Sequence, residues 1–84
     1  MESLITKNFN FTLKSIDMVK NFVSLTTNLN GAACLRSGRY IIDAKSIMGI
    51  FSLDLTKEIN CEVEASKEEI TKFVDGLKKY GIIE

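Results

Sequence analysis

The chain reads as a small α+β domain with elements in the order β-α-β-β-α-β-α. Three observations predict this. Segments with apolar residues at every second position alternate with segments at helical spacing along the 84 residues. Ser15, Ser46 and Ser66 each stand just before an apolar helical segment, where a serine hydroxyl can cap free N–H groups. Gly38 lies between two strand-like runs, where a tight hairpin turn requires a positive φ.

Each element follows from its residues. Residues 4–13 alternate through Ile5, Phe9, Phe11 and Leu13, which predicts the first strand. Ser15 then caps a helix whose apolar face is Ile16, Val19, Phe22 and Val23, with Asp17 favouring its positive end. Thr26-Thr27-Asn28 weakens that helix, and Asn30-Gly31 closes the connection. Residues 33–36 and 39–43 form a hairpin around Ser37-Gly38. After Ser46 comes a short helix, and Thr56-Lys57-Glu58 is a turn. Ile59, Cys61, Val63 and Ala65 alternate with Asn60, Glu62 and Glu64, predicting a strand with one wet face rather than an acid–base couple. Ser66-Lys67-Glu68-Glu69 is a capping box in which Glu69 reaches back to the cap. Ile70, Phe73, Val74, Leu77 and Tyr80 mark one buried stripe, Lys78-Lys79 complements the helix end, and Gly81 stops it.

Composition bounds the function. With 45% hydrophobic and 26% charged residues the chain is globular, and residues 1–84 are expected to form one domain. A net charge of zero supplies no basic field for nucleic acid. No apolar run approaches the ~20 residues that span a bilayer, and no signal-peptide pattern opens the chain. Cys34 and Cys61 lack C-x-x-C spacing and fall on predicted strands, as buried free thiols acting as small hydrophobes. Free thiols fit a reducing compartment, so a cytoplasmic location is expected. No metal, cofactor or catalytic constellation is implied, and the chain is not expected to be an enzyme.

The most informative stretch is Ile41-Ile42-Asp43-Ala44-Lys45-Ser46-Ile47-Met48-Gly49-Ile50-Phe51-Ser52-Leu53. It reads as a strand end, a serine cap and a helix with too many apolar residues to bury from two turns. Part of Ile47, Met48, Ile50, Phe51 and Leu53 is therefore expected to form an exposed patch, in which a methionine suits adaptable partner binding. Ser46 has two readings. It is a plain N-cap, or its hydroxyl accepts a phosphate at the positive end of the helix.

Lys45-Ser46-Ile47-Met48-Gly49 with its flanks, including Phe51-Ser52-Leu53, resembles HPr, the phosphocarrier family of the bacterial sugar phosphotransferase system. The resemblance extends to the order of elements along nearly the whole chain. It implies an open-faced β-sandwich, a four-stranded antiparallel sheet covered on one face by three helices. It also implies that Ser46 is the serine phosphorylated by a dedicated kinase in Gram-positive bacteria. Lys45, Ile47, Met48, Gly49, Phe51 and Ser52 would then contact protein partners, with Ile47 and Met48 as the exposed pair.

The chain has no histidine. The family's phosphoryl-carrying histidine stands at the start of the first helix, followed by arginine and proline. In ungapped alignment Ser15, Asp17 and Met18 take those places; placing Phe9 and Phe11 on inward strand positions shortens the active-site loop instead. Either way the acceptor is gone. A serine needs an adjacent base to attack phosphorus, and none is evident beside Ser15. The chain thus resembles the catabolite-repression HPr branch, which keeps the serine and lacks the histidine. Asp17 in place of the arginine would repel a phosphoserine, leaving Lys14, Lys20 and Lys45 as candidate cations. The function implied is a regulatory protein-binding module, with HPr kinase and a transcriptional regulator or metabolic enzyme as partners. The alternatives are a phosphocarrier using Ser15 or Asp17, and an interaction domain with a relic serine motif. A monomer or a strand-swapped dimer is implied.

Overall fold

The structure is a computed structural model that describes residues 3–84. Its elements are β1 (Ile5–Phe11), α1 (Ile16–Asn28), β2 (Gly31–Ser37), β3 (Tyr40–Asp43), α2 (Ile47–Phe51), β4 (Ile59–Ala65) and α3 (Lys67–Lys79). This is the order the sequence predicts. The strands form one sheet in the order β1-β4-β2-β3, with every neighbour antiparallel.

β4 shows why the sheet has one wet face. Ile59, Cys61, Val63 and Ala65 all point into the core and are at most 1% exposed. Asn60, Glu62 and Glu64 point the other way, where Glu62 pairs with Arg36 of β2 at 3.4 Å and Asn60 bonds Asn10 of β1. The helices close the inner face. Phe22 of α1 packs against Phe11 at 5.4 Å and against Phe73 of α3 at 6.1 Å between ring centroids, so one aromatic cluster ties both long helices to β1. Lys7, an exposed residue on the edge strand β1, is in register with buried Val63 and therefore lies on the helix side of the sheet.

Two glycines are fixed by geometry. Gly38 has φ +58°, and no other described residue of the β2–β3 turn has a positive φ, the pattern of a type II′ hairpin. Gly31 opens β2 opposite Ala65, where an added Cβ would stand 2.5 Å from the Glu64 carbonyl oxygen and 2.7 Å from the Ala65 Cβ. That approach sets how closely the α1–β2 connection can lie against β4.

Several local expectations are corrected. Ile16 is 63% exposed, so the buried face of α1 begins at Val19. Thr26 does not weaken α1. It is fully buried, and its hydroxyl lies 2.8 Å from the Ala44 carbonyl and 3.0 Å from that of Val23, tying the last turn of α1 to the segment after β3. Glu69 does not reach back to its cap. The Ser66 hydroxyl accepts from the Glu69 N–H at 3.3 Å, but the Glu69 carboxylate instead accepts from the Asn30 N–H at 2.8 Å. Cys61 is buried as expected, whereas Cys34 lies half-buried on the wet face beside Glu62. Tyr80 is partly exposed and ends the stripe of α3.

Candidate regulatory and docking site

The segment leaving β3 is a tight turn built by Asp43. Its side-chain oxygen accepts from the Lys45 N–H at 2.9 Å, and its backbone carbonyl accepts from the Ser46 N–H at 3.0 Å. The turn delivers Ser46 in an extended conformation (φ −97°, ψ 103°) at the N-cap of α2. There its hydroxyl accepts from the Gly49 N–H at 3.1 Å, and its carbonyl accepts from the Ile50 N–H at 3.0 Å. Ser46 is half-buried. At the other end Ser52 donates both its N–H and its hydroxyl to the Gly49 carbonyl, closing the single turn.

A helix this short divides its apolar residues between two environments. Ile50 and the following Leu53 enter the core, and Ile47 packs against it half-buried. Met48 is 76% exposed and Phe51 41%. Of the pair expected at the surface, Met48 is fully presented and Ile47 only in part; Phe51 supplies the second exposed anchor. Gly49 is half-buried under the Ser46 hydroxyl.

The Lys45 side chain reaches back to the α1–β2 connection. Its ammonium donates to the Gly31 carbonyl at 3.1 Å and to the Leu29 carbonyl at 3.4 Å, across the C-terminal end of α1. The sequence presents Lys45 as a partner contact or a replacement cation for a phosphoserine, and this role is not among those readings. The signal was the last turn of α1, which holds no basic residue of its own and so leaves its negative end to be balanced from elsewhere. Asn30, between the two carbonyls, is the residue whose N–H is held by Glu69. That contact foremost, and then Lys72, holds the Glu69 carboxyl below its ordinary range.

Ser15 and Asp17 are exposed at the start of α1. The Ser15 hydroxyl accepts from the Met18 N–H at 3.1 Å, as an N-cap should, and no side-chain base among the described residues bonds to it. Asp17 occupies the first turn. No group of three metal-ligating side chains is present among the described residues. No described helix is long and apolar enough to cross a membrane.

The element order, the four-stranded antiparallel sheet and the three helices together describe a fold already known from solved structures. The chain is similar to HPr-C-His from Thermoanaerobacter tengcongensis, with 23% identity, a TM-score of 0.65 and 98% of each chain covered. It is likewise similar to the phosphocarrier protein HPr from Bacillus anthracis str. Ames, with 22% identity, a TM-score of 0.65 and coverage of 93% of this chain and 96% of that one. The fold is therefore that of HPr. No family model and no curated protein sequence matches the chain.

Proposed function

We propose that the chain is a histidine-less HPr-family protein, of the catabolite-repression type, acting as a regulatory protein-binding module in carbon catabolite control. On this reading Ser46 is the phosphorylation site. Lys45, Ile47, Met48, Gly49, Phe51 and Ser52 form or frame the docking surface for HPr kinase and for a transcriptional regulator or metabolic enzyme. The protein would act in the cytoplasm of a Gram-positive bacterium, without cofactor and without catalysing a reaction itself.

The observation that carries this reading is the juxtaposition of the Ser46 cap with exposed Met48 and Phe51, on the HPr fold and in a chain without histidine. A phosphate on Ser46 would place about two negative charges at the edge of an apolar docking patch, changing which partners that patch accepts. Phosphoryl relay is the weaker alternative, because an imidazole is nucleophilic near neutral pH whereas the Ser15 hydroxyl is engaged as a cap with no base on it.

Two incubations test the proposal, each read by intact mass and site mapping. With HPr kinase and ATP, one phosphate is expected on the wild type and none on Ser46→Ala; labelling of neither, or of both equally, leaves Ser46 as a helix cap only. With enzyme I and phosphoenolpyruvate no phosphate is expected. A phosphorylated product in that second incubation would replace the regulatory reading with a carrier one.

A further inference from the structure

We propose that Lys45 couples the state of Ser46 to the far end of α1: phosphate on Ser46 draws the Lys45 ammonium off the Leu29 and Gly31 carbonyls and loosens the α1–β2 connection. The inference rests on the reading of Ser46 as a phosphorylated residue and adds where the signal goes.

Three hydrogen bonds dock Ala44 and Lys45 onto the end of α1 and the start of β2. The buried Thr26 hydroxyl bonds the Ala44 carbonyl at 2.8 Å. Lys45 spans the Leu29 and Gly31 carbonyls at 3.4 and 3.1 Å. Leu29 is the C-cap of α1, and with no basic residue in the helix's own last turn, Lys45 supplies the cation its negative end favours. The next residue in the chain is Ser46.

The competition is unequal. Each carbonyl offers a partial charge, while a phosphoserine carries roughly −1.5 to −2 charges at neutral pH with three strong acceptor oxygens. The four-carbon stem of lysine is flexible, and its exposed ammonium can exchange one acceptor for another at small cost. The other tethers limit how far the connection opens, because Thr26 is buried and Glu69 reaches the Asn30 N–H from α3. The response is therefore a local loosening of residues 29–31 rather than an unfolding of α1. Asp17, which ungapped alignment sets at the place of the family's arginine, lies in the first turn of α1 and offers no competing cation.

The test uses phosphoserine placed at position 46 by chemical ligation, so it does not depend on any kinase accepting the chain. Amide hydrogen exchange at Leu29 and Asn30, whose N–H groups bond Thr26 and Glu69, is expected to quicken about two- to fivefold, the size of one exposed charge interaction. In Lys45→Met, which keeps the stem and loses the charge, these amides should already exchange faster, and phosphoserine should add little. Lys45→Arg should restore the response. The 15N resonance of the Lys45 ammonium, read in the unmutated chain, should move on modification and gives an answer even if a variant folds poorly. Unchanged exchange at both amides with an unmoved ammonium resonance overturns the proposal, as does an equal response in wild type and Lys45→Met. A chain that no kinase modifies, but whose synthetic phosphoserine moves Lys45, keeps the coupling and loses the regulatory reading.

Discussion

At the scale of single residues, the site is governed by what each side chain of one turn is asked to do. Ser46 holds the Gly49 N–H, so Ser46→Ala should cost about 1 kcal/mol in denaturant unfolding, while Ser46→Asp, which can still cap, should stay close to wild type. Equal losses in the two variants would mean the hydroxyl is not acting as a cap. Met48 is the opposite case. It stands 76% exposed, so Met48→Asp should shift stability by no more than about 0.5 kcal/mol while weakening partner capture strongly. A large fall in the denaturation midpoint would place Met48 in the core. Neither outcome transfers to Ile50, two positions on, which is fully buried and whose truncation should cost about 2–5 kcal/mol.

At the scale of elements, the connections carry what local patterns leave out. Asn30 is held by Glu69 from the start of α3, and this contact gives the fold a titratable clamp. The Glu69 carboxyl sits below its unfolded value of 4.5, so its contribution is present above that pH and is lost as pH falls through the lowered folded value. Glu69→Gln keeps an acceptor for Asn30 and removes the titration. Its stability should therefore depend less on pH below 4.5 than that of the wild type, in urea titrations run at several acid pH values. The same contact shows where sequence reasoning stops. Alternation in β4 and helical spacing in α3 predict both elements, the buried face of β4 and that of α3 at Ile70, Phe73 and Leu77, because those signals depend only on residues a few positions apart. Ser66-Lys67-Glu68-Glu69 is equally regular, yet its carboxylate goes to a partner 39 residues away. Thr26 was read by its low helix propensity, which a buried bond to Ala44 overrides. The turn around Ser46 was legible in its cap and its surplus of apolar residues. Which of Ile47, Met48 and Phe51 would face outward was settled only by how α2 meets β3 and α1.

At the scale of the whole molecule, the two thiols separate local from global motion. Cys34 is partly open on the wet face, while Cys61 is fully buried in the centre of β4 and its thiol is pushed up to about 12, first by burial and then by Cys34. A thiol reagent should modify Cys34 in the folded chain and Cys61 only at the rate of global opening. Modification of Cys61 without denaturant at the Cys34 rate would show that the sheet opens locally. Because the folded value lies above the unfolded 9.0, this thiol stabilises the fold fully below pH 9.0 and less as pH rises towards 12. The edge strand β1 sets how two such molecules could meet. Lys7 stands on its helix side, so a foreign strand added along that edge would have to cover an ammonium or leave a wet gap. Exchange of β1 between two copies rebuilds the same pairing with β4 and leaves that ammonium in its present surroundings. One lysine thus penalises open-ended sheet growth while leaving a closed, reciprocal trade of strands untaxed.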